Sequence, residues 1–162
     1  MMTATAHALI GASIAVRVTN PIIGIPLSIA SHFAADLIPH WDAGTNHRKK
    51  SMTRLKLEAA LDVLLGFALV LLLFRNLVEP TYLFTMVIAA QLPDWLEAPS
   101  WMFNLKFPPF SWFDFLSHKI QTRMQLPWGL VTQVVVVGLV LFLTFSTSKN
   151  GNLFAGFTNL YR

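Results

Sequence analysis

The chain is 162 residues long, 54% hydrophobic and only 12% charged, with a mean hydropathy of +0.55. An ordinary soluble domain carries about 25% charged residues, and a chain of this length has too little interior to hide so much apolar surface, so a water-soluble single core is excluded. The net charge of +4 lies beside apolar runs, which points to membrane topology rather than nucleic acid, and the absence of cysteine excludes disulfides, thiolate ligands and a cysteine nucleophile.

A helical span needs roughly 20 apolar residues, fewer where it is sheltered by protein. Five segments meet that description, so the fold class expected is all-α, a polytopic membrane bundle of about five spans. The opening Met1-Met2-Thr3-Ala4-Thr5-Ala6-His7 has no basic leader region, and the first apolar segment is expected to be retained. That segment runs from about Thr5 to Val18 and is short, ending at Asn20-Pro21. The second runs from Ile22 to about Trp41, and the third from about Leu55 to Leu77, before Glu79-Pro80. The fourth, from Thr81 to about Trp95, is again short, so the first and fourth are the candidates for re-entrant helices. The fifth, from about Pro127 to Phe145, contains the uncharged run VTQVVVVGLVLFLTF. Between the last two, SWFDFLSHKIQTRMQ suits a short interfacial helix, with Trp101, Trp112 and Trp128 as belt residues. Residues 1–146 thus form a single transmembrane domain and 147–162 a polar tail. Gly11, Gly24 and Gly66 are expected at close helix contacts.

With five spans and the N-terminus on side A, that side receives Arg48, Lys49, Lys50, Arg54, Lys56, Lys106, Lys119 and Arg123. Side B receives Arg17, Arg75, Lys149 and Arg162, so side A is cytoplasmic by the positive-inside rule. The same topology brings every histidine and every acidic residue except Glu79 to side A. Ionisable groups inside a span cost roughly 2.5–3.5 kcal/mol on the insertion scale and normally face a bundle interior with a partner. Asp42, His47, Glu97 and Asp114 fall in expected loops and read as caps or ion-pair members.

His32 and Asp36 fall within an apolar run. In SHFAADLIPHWD, residues 31–42, they are spaced i, i+4, about 6 Å apart on one helix face. Two side chains can ligate one ion at that reach; a hydrogen-bonded His–Asp pair is the plainer reading of the motif alone. His40 extends the row, unless Pro39 breaks the helix first. The depth shared with His7, Asp62 and Asp94 favours a metal. Ile38-Pro39-His40-Trp41 also resembles Leu92-Pro93-Asp94-Trp95, as if two hairpins each closed on proline, a ligand and an anchoring tryptophan. No Gly-rich phosphate loop or GxSxG elbow is present, and Ser28, Ser31 and Ser117 carry no triad signature.

The Thr-Ala-His7 opening, the SHFAADLIPHWD block, QLPDW and the His118-Lys119 segment together resemble the YdjM-like family of bacterial inner-membrane proteins, described as metal-dependent hydrolases. The resemblance spans roughly residues 1–133. It implies a bacterial inner-membrane location, hydrolytic activity and a divalent metal, zinc first, held by His7, Asp94 and His118 with His32 and Asp36. Family members often carry His-Arg-Gly-x-Thr-His-Ser, where this chain reads His118-Lys119-Ile120-Gln121-Thr122-Arg123-Met124, so Arg123 replaces the second histidine.

The function expected is hydrolysis of a lipid-linked ester or phosphoester at the cytoplasmic interface, with one or two metal ions held by His7, His32, Asp36, His40, Asp94 and His118. Asp62 is expected as a further ligand or as the partner fixing a histidine tautomer, and Lys119 and Arg123 as phosphate binders. The partners are membrane lipid and an amphiphilic substrate. The competing expectation is a non-catalytic membrane protein with a structural His/Asp site, acting as an interaction module or metal carrier. A transporter would hold its ligands near the midplane, and here they stay on one side.

Overall fold

A computed structural model describes residues 2–42, 44–46 and 49–146. The polar tail, with Lys149 and Arg162, lies outside the described residues, as do His47 and Arg48. The described residues form six helices and no sheet: α1 Ala4–Arg17, α2 Pro21–Asp36, α3 Met52–Phe74, α4 Pro80–Met102, α5 Phe110–Ile120 and α6 Trp128–Ser146.

The helix starts follow local chemistry. Asn20 and Glu79 each cap a helix whose first residue is proline, Asn20 accepting from Ile22 N–H at 2.9 Å and Glu79 from Thr81 and Tyr82 N–H at 2.9 and 2.7 Å. Thr3 and Ser51 cap α1 and α3 in the same way. Glu58, one of the polar residues early in α3, is tied to Lys50 at 2.6 Å and Arg54 at 2.7 Å.

Two helices, α3 and α6, are long and apolar enough to cross a membrane. Their outward faces carry Leu57, Leu61, Leu64, Val134, Val135 and Phe142, each more than half exposed. α1 and α4 are the inner helices. α1 packs against α2, α3, α4 and α6, and is buried almost all round because it is built of alanine, glycine and small aliphatics. A Cβ on Gly11 would stand 2.7 Å from the Ala90 Cβ and 2.8 Å from the Met86 carbonyl oxygen of α4. One on Gly66 would stand 3.0 Å from Thr5 Cα of α1, and one on Gly24 would overlap Tyr82 and Met86. All three glycines therefore mark helix crossings, as their sequence setting suggests.

Directions alternate. α3 and α6 run alongside α1: Asp62 meets Ala4 and Thr5, Gln133 meets Thr3, and Arg17 reaches the Leu143 and Thr144 carbonyls at 2.6 and 2.7 Å. α2 and α4 run the opposite way, since His32 and Asp94 come to His7 while Tyr82 bonds the Val18 carbonyl. The start of α1 therefore shares one end of the bundle with the ends of α2 and α4.

Two boundaries depart from expectation. α2 stops at Asp36 rather than near Trp41, because the chain turns before Pro39 and residues 36–40 then pair with 122–124. α4 is not short: it continues through Pro93 and Pro99 to Met102, 23 residues in all. A proline inside a helix removes one backbone bond, and the long buried face of α4 against α1 and α2 outweighs that loss here. The two proline–ligand–tryptophan stretches are consequently not equivalent, one lying past a helix and the other within one.

Candidate metal centre

His7 sits in the second turn of α1, whose start is fixed from two sides. Thr3 caps it locally, and the Asp62 carboxylate of α3 accepts the Ala4 and Thr5 N–H groups at 2.6 and 3.2 Å and the Thr5 hydroxyl at 2.7 Å. His32 and Asp36 stand on the last turns of α2, where the expected i, i+4 spacing puts both on one face. Asp94 comes from α4, just after Pro93. His7, His32, Asp36 and Asp94 each offer a ligand atom within 4.8 Å of the other three, and all four are at most 6% exposed.

His7 Nε2 is 3.4 Å from Asp36 Oδ1, His32 Nε2 is 3.6 Å from Asp36 Oδ2, and His32 Nε2 is 3.0 Å from Asp94 Oδ1. Ligands on a tetrahedral ion with bonds of about 2.1 Å stand about 3.4 Å apart, so these separations match a shared ion. Satisfaction of the polar atoms points the same way. His32 Nδ1 donates to the Ala90 carbonyl at 2.8 Å, which fixes the tautomer and leaves Nε2 as a lone-pair donor facing the group. His7 Nδ1 and Nε2, His32 Nε2 and Asp94 Oδ1 are buried without a hydrogen bond of ordinary geometry, although the last two lie close together. Buried polar atoms are rarely left so. The His7 and His32 rings stack at 3.9 Å between centroids, bringing two imidazoles to one side of the carboxylates. Asp36 is steadied by the Met2 N–H, 2.5 Å from Oδ1.

The other expected site residues fall elsewhere. His40 is buried at the edge of the group, with Nε2 3.8 Å from Asp36 Oδ1 and Nδ1 bonded to the Ile38 carbonyl at 2.7 Å. Its backbone belongs to a strap: Thr122 N–H donates to the Asp36 carbonyl, His40 N–H to Thr122, and Met124 N–H to His40. Asp62 spends its carboxylate on the start of α1. His118 is on α5, apart from the four, and gathers with Glu97 and Asp114 in a second group whose ligand atoms lie within 4.8 Å. Lys119 is exposed on the last turn of α5. Arg123 reaches Asp42 at 3.5 Å.

Glu97 and Asp114 were expected as cap or ion-pair residues in loops. Asp114 does pair with Lys106, at 3.2 Å, but it also lies in the second group. Their spacing carried the missing signal: Asp94 and Glu97 are i, i+3 on a helix that continues through Pro93, and Asp114 and His118 are i, i+4.

A cavity of 640 Å³ adjoins both groups. Leu55, Ala59, Val63, Ala98 and Met102 give it apolar walls, and Asp94, Glu97, His118 and Arg123 also line it. Asp94 is the member of the buried four that reaches this space. No known family profile, curated protein or solved structure matches the chain.

Proposed function

We propose that this protein is a polytopic membrane hydrolase of the YdjM-like kind, with five helices crossing the bacterial inner membrane and the N-terminus in the cytoplasm. His7, His32, Asp36 and Asp94 hold a divalent cation, zinc in the first instance, and the substrate is a lipid-linked ester or phosphoester at the cytoplasmic interface. One observation carries this reading: four buried ligand groups, three of them with polar atoms lacking a hydrogen bond, converge at ligand spacing beside an apolar cavity. Two imidazoles and two carboxylates suit zinc, and a harder ion such as manganese is the next choice.

The cation supplies Lewis acidity, activating water and polarising the ester or phosphoryl oxygen. The chain supplies the rest. The Ala90 carbonyl holds His32 in its ligating tautomer. Asp62 positions His7 by fixing the first turn of α1. The cavity walls take the apolar chain of an amphiphile, so its polar head comes to Asp94. Arg123, on the same wall, offers guanidinium N–H groups to phosphate oxygens, and Lys119 adds positive charge nearby on α5. Hydrolysis breaks one C–O or P–O bond; the water hydroxyl joins the acyl or phosphoryl centre and its proton leaves with the alcohol.

Elemental analysis of the detergent-purified protein tests the centre, beside His32→Ala and Asp36→Ala variants. About one equivalent of zinc or manganese is expected, lost in both variants while helicity is kept, together with release of product from lipid esters or phosphoesters in mixed micelles. No bound metal after reconstitution with added ions overturns the reading.

The closed burial of all four groups favours a second reading, a structural metal site, because structural sites are closed and catalytic ones keep a position open. Unfolding on chelation, with no turnover, would select it.

A further inference from the structure

Glu97 is 3% exposed, and its Oε2 has no hydrogen-bond partner. Ser117, buried against it, forms no bond of ordinary geometry with it, and no lysine or arginine among the described residues pairs with it. A buried carboxylate oxygen without a hydrogen bond or a paired lysine or arginine is costly to keep charged, and a cation entering from the cavity would supply the missing partner. The two groups beside it, a carboxylate and an imidazole, are of ligand type. Asp114 Oδ2 is held by the Ser100 hydroxyl at 2.8 Å and Lys106 Nζ at 3.2 Å, while Oδ1 lies 3.4 Å from His118 Nδ1. Such an outer pair orients a carboxylate without occupying its second oxygen. Lys106 neutralises Asp114 but leaves Glu97 unmet.

We infer that Glu97, Asp114 and His118 form a second divalent-cation site opening on the same cavity as the first. Both Glu97 and His118 line that cavity, as does Asp94. The two ligand sets share no residue, so the second ion has ligands of its own. With two carboxylates, one imidazole and partial exposure, the site prefers a harder ion such as Mn²⁺ or Mg²⁺, binds it more loosely, and leaves positions open. Resting on the hydrolase reading, its role is to hold the anionic head of the amphiphile, with the apolar chain along the cavity wall.

Titration of the detergent-solubilised full-length protein with Mn²⁺, read by the electron paramagnetic resonance signal of the free ion, tests the site. Wild type should show two classes of binding. Glu97→Gln should lose the weaker class and His118→Ala should weaken it by roughly tenfold or more, each leaving the tighter class unchanged. Asp36→Asn should lose the tighter class and keep the weaker. A single class in wild type, or a weaker class unchanged in both Glu97→Gln and His118→Ala, overturns the site. His118 is exposed, so its variant decides the matter if Glu97→Gln fails to fold. A weaker class that behaves as expected in a protein without hydrolytic activity upholds the cation site and removes only the hydrolase reading.

Discussion

Asp62 and Asp94 look alike in the sequence, each a carboxylate in an apolar run on the same side of the bundle. Asp62 accepts three hydrogen bonds from the first turn of α1, whereas Asp94 Oδ1 has none and faces His32. Nothing local separates them, because the difference lies in which foreign helix each one meets. His32 and Asp36 were legible for the opposite reason: a helical repeat alone brings them to one face. Two substitutions should divide these roles. Asp62→Ala is expected to cost about 1–2 kcal/mol, the range for a lost helix cap, while keeping bound metal. Asp94→Ala should keep the fold and lose the metal. Unfolding midpoints and metal content measured on the same samples check both.

At the level of the element, α4 shows most clearly what a sequence conceals. Ending the span near Trp95 left Glu97 in a loop and hid the alignment of that residue with Asp94. The start of α4 was plainer, since Glu79 followed by proline is a cap signal. Hydrogen bonds from Thr81 and Tyr82 hold the Glu79 carboxyl below its usual range. A lowered folded-state pKa gives stability present above the unfolded value of about 4.3 and lost as pH falls through the folded value. Wild type should therefore be more stable than Glu79→Ala at pH 7, with the gap closing in acid; thermal melts at both pH values measure it. Glycine gives a second comparison. Gly→Ala in a helix gains about 1 kcal/mol of propensity. At Gly11 the added carbon meets the Met86 carbonyl and Ala90, so overpacking of about 1–3 kcal/mol should win. At Gly138 nothing lies within 4 Å, and Gly138→Ala should be neutral or stabilising. Denaturant titration of the two variants decides.

Over the whole molecule, the order of the apolar segments forecast the alternating helices and the meeting of His7, His32, Asp36 and Asp94 at one end, because both depend on segment order rather than contact detail. They did not forecast that α1 and α4 lie inside while α3 and α6 face outward. If lipid covers those outer faces, Leu64→Arg, at a side chain 65% exposed, should cost roughly 2.5–3.5 kcal/mol of insertion energy and deplete the protein from membranes. A leucine facing water would tolerate the change, and fractionation of cells expressing the variant distinguishes the two. A reporter fused after Arg162 should read as outside the cytoplasm under five crossings; a cytoplasmic signal would remove that topology. The clasp between α1 and α6 bears on how such a molecule is made. α1 has only 14 residues, and α6 holds it at both ends, through Gln133 on Thr3 and through its Leu143 and Thr144 carbonyls on Arg17. The helix carrying His7 is thus translated before α2 to α6, yet its contacts at both ends wait for α6, the last of the six described helices. A nascent chain halted between α5 and α6 would hold α1 without that clasp.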